Sequence, residues 1–400
     1  MRIVFISWWW PYPATNGSKI RVYNLLRSLA EQHQVTLLSF TDPGDATPDS
    51  VLHLQSFCER VESIPKPQYN PGGMKAMLGY FSRWPRSLVD VYSAPMAKLL
   101  WDMAAEKPID LLIGSEFQTM RYLDLLPRIP AILEEFEITS FHNQVENAAS
   151  TTRRMRAQLT LNKMESSARA QLERGVVYTV VSETERDYVR LFAPRSQVEV
   201  IPNGVDTHIH QPDPTIEIQP HTAVYNGAVT YNANLDAVTY FAHDVLPLLR
   251  ARHADASFTV TGGTGTVDIS GLKALPGVHF TGFVPEIAPL VQRHRAVVVP
   301  LRQGGGTRLK ILEAMAQGVP VVASRKGAEG LNVTDGETIL LADSPTGICD
   351  ALDRLFRDDA LHTRIATNAR ALVEREYDWR VMGQQLLRLV EQVARKSIPA

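Results

Sequence analysis

Two cysteines in 400 residues, Cys58 and Cys349, are too few and too far apart for a disulfide scaffold or a cysteine-built zinc site. They suit a reducing cytosol. No stretch approaches the roughly 20 apolar residues of a membrane span. Neither sign of charge dominates: 41 Lys and Arg stand against 43 Asp and Glu, a formal net of −2, which excludes a general nucleic-acid coat. A Walker loop is missing, because no Gly-Lys-Ser/Thr follows a four-residue spacer after glycine. An Asp-x-Asp pair of the sort that holds a metal–nucleotide complex is missing too. His208 and His210 are two apart, not the three or four of a helical metal pair, so no metal site is read. No repeat or low-complexity tract occurs. Met1–Trp10 has one basic residue, a short apolar run and no small-residue cleavage site, and Pro11 and Pro13 follow. It reads as a first strand and not as a signal peptide.

What is present is alternation. The length allows about two domains, each with its own core. Apolar runs at 3–7, 35–40, 60–64, 111–114, 131–134, 176–181 and 198–201 are separated by helical stretches, the first of them the amphipathic segment 18–31. That pattern predicts a parallel sheet covered on both faces. Pro202-Asn203-Gly204-Val205-Asp206 breaks it, and the proline-rich segment 207–221 reads as a linker. A second series follows, with strands expected near 222–227, 257–261, 278–281, 296–300, 319–323 and 338–342. The expectation is two doubly wound domains, 1–203 and 204–378, facing an interdomain cleft, with a last helix near 379–397 packing back on the first.

The richest segment is Gly304-Gly305-Gly306-Thr307-Arg308-Leu309-Lys310-Ile311-Leu312-Glu313-Ala314-Met315-Ala316-Gln317-Gly318. Strand, glycine loop, helix, strand is how α/β proteins hold a phosphate. Thr307 suits an N-cap. Lys310 and Glu313, three apart, share a helical face. A diphosphate at the helix mouth would meet Arg308 or Lys310, and its nucleoside sugar would fall near Glu313, whose carboxylate can accept two hydrogen bonds from a vicinal diol. The plain alternative is a surface turn with Lys310 and Glu313 as an exposed ion pair.

This segment resembles the donor-site signature of the retaining GT-B glycosyltransferases of the group 1 or family 4 type. Asn203-Gly204-Val205-Asp206 is similar to that family's interdomain turn. Phe280-Thr281-Gly282-Phe283-Val284-Pro285 resembles the stretch whose backbone contacts the nucleotide base. Pro11 to Arg21, with Asn16, Gly17 and Lys19, resembles the first glycine loop, which faces the acceptor, and is similar to sugar transferases of exopolysaccharide clusters. Two departures stand out. The family has a pair of glutamates separated by seven residues, the first of which approaches hydroxyls of the transferred sugar; here the second is Glu313 and the first position is Gly305. The segment Gly227–Leu235 lacks the family's Arg and Lys, so Arg308 and Lys310 are expected to supply that charge. Gly262, in Thr261-Gly262-Gly263-Thr264-Gly265, fits a loop near the donor.

Other candidates are open to two readings. Glu134-Glu135-Phe136-Glu137 ends a buried strand: Glu135 or Glu137 would serve as acceptor-hydroxyl base or sugar contact, or the segment is an acidic turn. His142 would touch the sugar, or be structural. Lys19 and Arg21 sit at a helix start, where cations are unfavourable without an anionic ligand such as an acceptor phosphate. Trp8, Trp9 and Trp10 would stack on a sugar, seat a lipid or fill the core. Arg153, Arg154, Arg156, Lys163, Arg169 and Arg174 form a basic helix, solvated or laid on an anionic membrane. Together these imply a metal-independent glycosyltransferase with a nucleotide-diphosphate sugar as donor and no other cofactor. Its acceptor would be a glycan, a lipid-linked or a small molecule, and not nucleic acid. Its place would be cytoplasmic, with peripheral contact at the inner membrane face. A nucleotide-sugar epimerase on the same fold and a non-catalytic binding subunit remain as alternatives.

Overall fold

The computed structural model describes residues 1–304 and 308–396. They form two compact units, one of residues 1–202 with the stretch from Met382 onward, the other of Asn203–Val381.

In the first unit the strands are β1 (Arg2–Ser7), β2 (Gln34–Thr41), β3 (Arg60–Pro65), β4 (Leu111–Ser115), β5 (Ala131–Glu134), β6 (Val177–Val180) and β7 (Val198–Val200). They make a seven-stranded sheet in the order β3-β2-β1-β4-β5-β6-β7, all parallel. Ile3 lies opposite Val35 on one side and Leu111 on the other. From Ile3 on, β1 is wholly buried, as a central parallel strand with helices on both faces must be. The strand order reverses between β1 and β4, the position where such sheets open a crevice at their carboxyl ends.

The helix Gly17–Ala30 follows β1, its first turn closed by Asn16 Oδ1, which accepts from the Lys19 amide at 3.0 Å. The closing helix Trp379–Lys396 joins this unit from Met382 onward. Met382, Leu386, Leu389, Val390 and Val393 are buried there, and Gly383 presses on Ser28 so closely that no Cβ would fit.

In the second unit β8 (Gln219–Asn226), β9 (Ser257–Thr261), β10 (Val278–Gly282), β11 (His294–Val299), β12 (Val321–Ala323) and β13 (Leu340–Leu341) form a parallel sheet in the order β10-β9-β8-β11-β12-β13. Its switch point falls between β8 and β11. The expected linker 207–221 is corrected here, since these residues are built into the second unit. Thr207 N–H donates to the buried Asp378 carboxylate at 3.3 Å, Asp213 N–H donates to Gln292 Oε1 at 2.6 Å, and β8 already starts at Gln219. Prolines mark the absence of helix and strand, but side chains still tie such a segment down.

Candidate active site

At the carboxyl edge of the second sheet, Gly227 follows β8, Gly262 follows β9, Phe283 and Val284 follow β10, and Gly304 lies beyond β11. The fold therefore brings these expected residues to one edge. Phe283 is exposed and Val284 half-buried. Gly262 has φ +122, and a Cβ on it would come within 2.7 Å of the Ala228 amide nitrogen, so the ends of β8 and β9 approach as closely as they do only because of glycine. The expectations for Gly305, Gly306 and Thr307 lie outside the described residues.

The helix Leu309–Ala316 carries Lys310 and Glu313 inward to the β8–β11 switch point. The exposed ion pair is excluded, because the two side chains turn to different partners inside the unit. Lys310 Nζ donates to Tyr225 Oη at 2.9 Å and to Asn234 Oδ1 at 3.3 Å, and stands 4.0 Å from the Tyr225 ring centre. Tyr225 Oη donates to Asn234 Oδ1 at 2.6 Å, and Asn234 Nδ2 donates to the Ala228 carbonyl at 2.8 Å. Gly227 makes room for this network, for a Cβ there would lie 2.6 Å from Lys310 Nζ. Glu313 Oε2 accepts from Asn226 Nδ2 at 3.4 Å.

Arg308 is buried and donates to the Gly304 carbonyl at 3.0 Å, so its charge lies close to Gly304. Burial, and then the Arg308 guanidinium, push the Lys310 ammonium down to about 7. Burial raises the Glu313 carboxyl, opposed by His210 and Lys310. Two close cations whose repulsion lowers one of them form a site suited to an anion. Asn234 and Tyr225 were not legible as its supports. The segment 227–235 showed only that it lacked cations, and the cradle it offers is a matter of three-dimensional proximity.

At the carboxyl edge of the first sheet the outcome differs from expectation. Lys19 and Arg21 do not wait for a ligand. Lys19 Nζ pairs with Asp45 at 2.8 Å. Arg21 is completely buried; it donates to Glu134 Oε1 at 2.7 Å and to the carbonyls of Ile201 and Pro202 at 2.9 and 3.1 Å. The cations face inward from the helix start, so carboxylates of the same chain take the place assigned to an anionic ligand.

Glu135 follows β5 with φ +58, a left-handed backbone that costs a non-glycine residue roughly 1–3 kcal/mol. Its Oε2 is 3.8 Å from Arg21 Nε, and burial holds its carboxyl well above the usual range despite that guanidinium. Glu137 is half-buried, and its carbonyl accepts from Ser140 Oγ at 3.4 Å. His142 is drawn into the helical layer: its ring packs on Tyr188 at 4.4 Å between centres, and its Nε2 lies 3.5 Å from Glu165. Trp10 is core, with its indole donating to Ser50 Oγ at 3.1 Å, and Trp8 is nearly as buried.

Glu116 is the residue the sequence did not single out. It follows β4 with φ +64 and accepts from the Trp9 indole. Burial pushes its carboxyl up to about 7, against hydrogen bonds from Trp9 and Ser18. Trp9 follows β1 and Ser18 lies in the first turn of the next helix, so Glu116 lies at the switch point of its sheet. A lone glutamate at a strand end gives no signal until the pairing of β1 with β4 is known. Among the described residues, no group of three His, Cys, Asp or Glu is placed to hold a metal ion, and no helix is long and apolar enough to cross a membrane.

Comparison with known proteins agrees with this fold. Residues 220–358 match the family described as glycosyl transferases group 1, and residues 15–209 match glycosyltransferase family 4. The phosphatidyl-myo-inositol mannosyltransferase of Mycobacterium leprae is 28% identical over 330 residues, 77% of this chain and 83% of that protein. Among solved structures, the sucrose-phosphate synthase of Thermosynechococcus elongatus superposes with a TM-score of 0.70 at 19% identity, covering 98% of this chain and 99% of the other. HepE of Anabaena, solved in complex with UDP, gives 0.67 at 16% identity, covering 98% and 100%. The two parallel-sheet units thus have the GT-B fold.

Proposed function

We propose that this chain, which belongs with the group 1 and family 4 glycosyltransferases, moves a hexosyl group from a nucleotide-diphosphate sugar to an acceptor hydroxyl, with retention of anomeric configuration, in polysaccharide or glycoconjugate synthesis. The observation that carries the donor assignment is Lys310, held by Tyr225 and Asn234 at the switch point with Arg308 beside it. An ammonium has three donors. Two are used within the protein, and the third, without a partner among the described residues, would be offered to a diphosphate oxygen. As the sugar–oxygen bond breaks, the electron pair passes to the leaving diphosphate, whose growing charge these cations offset. Glu313 then stands where a ribose diol would be met. This electrostatic role needs no bound metal.

The test is turnover. A panel of mannosyl and glucosyl nucleotides with lipid-linked, glycan and small acceptors is scored for release of nucleoside diphosphate, with and without chelator, and the product anomer is read by NMR. Acceptor-dependent release, undiminished by chelator and with the donor's anomeric configuration kept, is the expected result. Conversion of the free donor without acceptor would identify an epimerase, and binding without turnover a binding subunit.

The state of Lys310 gives a pH prediction. A dianion binds the protonated ammonium, and in the free protein that ammonium titrates near 7. Above pH 7 binding must therefore take up a proton. Affinity should weaken toward alkaline pH, by up to about tenfold per unit in the limit where Lys310 alone titrates. Phosphate's own second ionisation, near 6, lies below this window. Calorimetry with nucleoside diphosphate at pH 7.5 and 9, in buffers of different ionisation heat, should show weaker binding at pH 9 with net proton uptake. Lys310→Met should flatten both.

A further inference from the structure

A groove of about 930 Å³ opens in the first unit at the carboxyl edge of its sheet. Its floor is apolar, from Trp8 and Trp9 after β1, Phe117 after β4, and Phe141. Its walls carry Lys66, Arg86, Arg153, Arg156 and Lys163 against one carboxylate, Asp42. Such a concentration of cations is unlike the chain as a whole, whose formal net charge is −2.

Three of the five already have work inside the protein. Lys66 pairs with Asp42 at 3.2 Å and sits 3.4 Å from the Trp9 ring centre. Arg86 donates to the Ala76 carbonyl and to Tyr80 Oη, at 2.9 and 2.8 Å. Lys163 donates to the carbonyls of Gly79 and Tyr80, at 2.8 and 2.9 Å. Arg153 and Arg156 are exposed on the helix Thr151–Glu173, and among the described residues their guanidinium groups have no partner. Residues 153, 156, 160 and 163 recur at helical spacing and all line the groove, so the free cations face the same space as the bound one.

The ground beside the groove is apolar and unusually bare. Phe81 is 93% exposed and Met74 82%, with Met77 and Leu78 above half. Met155 and Leu159, one turn apart, are exposed on the groove helix. Lys163 ties the 79–80 backbone to that helix, so the two apolar sets flank each other. A cluster of bare apolar side chains mixed with unpaired cations is the surface chemistry that meets an amphiphile with an anionic head.

We propose that this groove takes the acceptor as an anionic amphiphile, with its apolar chain over the aromatic floor and the neighbouring Met74–Phe81 surface, and its phosphate-class head at Arg153 and Arg156. This rests on the glycosyltransferase reading and selects among the acceptor classes it allows. A bare sugar would leave the floor wet and the two arginines unanswered.

The experiment measures binding of dodecyl phosphate, below its micellar concentration, to the full chain. Glycerol phosphate supplies the head alone, and dodecyl maltoside a neutral amphiphile. Dodecyl phosphate should bind at least about tenfold more tightly than either. Arg153→Gln with Arg156→Gln should weaken it by about thirtyfold, as expected for two surface cations near an anionic head. Equal binding of dodecyl maltoside or of glycerol phosphate, or unchanged binding to the double variant, overturns the proposal. Flotation with phosphatidylcholine vesicles, with and without phosphatidylglycerol, separates the sources: added binding to the anionic vesicles assigns an amphiphile met in a bilayer, and dodecyl phosphate binding alone assigns a soluble one, either outcome upholding the class. Nucleoside diphosphate binding, a property of the second unit, is measured in parallel. If it persists while the amphiphile arms fail, the acceptor class falls and the donor reading stands.

Discussion

Lys310→Ala should weaken nucleoside diphosphate binding by about 2–4 kcal/mol, roughly 30- to 1000-fold, the cost of removing one partner of a desolvated charge pair. The variant should nonetheless fold. Lys310 titrates near 7 in the native protein against the usual 10.5. A depressed lysine means that the unfolded chain binds the proton more readily, so wild-type stability falls as pH drops through the interval between those values, and the penalty persists below it. Removing the side chain removes the penalty, and Tyr225 keeps its bond to Asn234. The paired measurement is calorimetric titration with nucleoside diphosphate and thermal unfolding at pH 7. Weaker binding at undiminished Tm is the expected pair. Unchanged affinity would take the diphosphate away from this site.

Arg21→Ala should act in the opposite way, on the fold and not through a ligand. Its guanidinium is the counter-charge to Glu134, and both side chains are fully buried. Deleting one member of a buried pair strands the other and costs about 3–5 kcal/mol. Urea denaturation of the full chain, followed by tryptophan fluorescence, should show the transition of the first unit moved to lower denaturant. Arg21→Ala combined with Glu134→Gln should recover part of the loss, because the uncompensated charge is then gone. A mild effect in the single variant would mean that water reaches Glu134, against its burial.

The contrast between these two cations shows what the chain order carries and what it does not. Lys310 announces itself locally: glycines before it, Glu313 three residues on and apolar strands on either side are all near neighbours in sequence. The strand positions were legible for the same reason, since buried parallel strands are written as short apolar runs. Arg21 has an equally suggestive setting, just after Asn16 and Gly17, but its partner is 113 residues away on β5. Glu116 was missed on similar grounds. It matters because β4 lies next to β1, and sequence pattern finds strands without stating their order. Asn234 and Tyr225 hold Lys310 through contacts 76 and 85 residues distant. Local chemistry was readable; the supports that tune it were not. The polar segment 207–221 failed in the other direction, since side-chain bonds such as Asp213 to Gln292 hold it without any periodic signal.

The closing helix bears on how the chain is made. The first unit is not contiguous: Met382, Leu386 and Val390 fill its core from the far end of the sequence. The second unit is one unbroken stretch, Asn203–Val381. Domains usually fold in the order of synthesis. Here the second unit has all its residues first, while the first, though begun earlier, waits for the residues from Met382 onward to leave the ribosome. Until then the face around Ser28 stays uncovered. A nascent chain halted before residue 382 would therefore carry a finished second unit beside an unfinished first one, and a fragment ending at Pro202 would lack part of its own core.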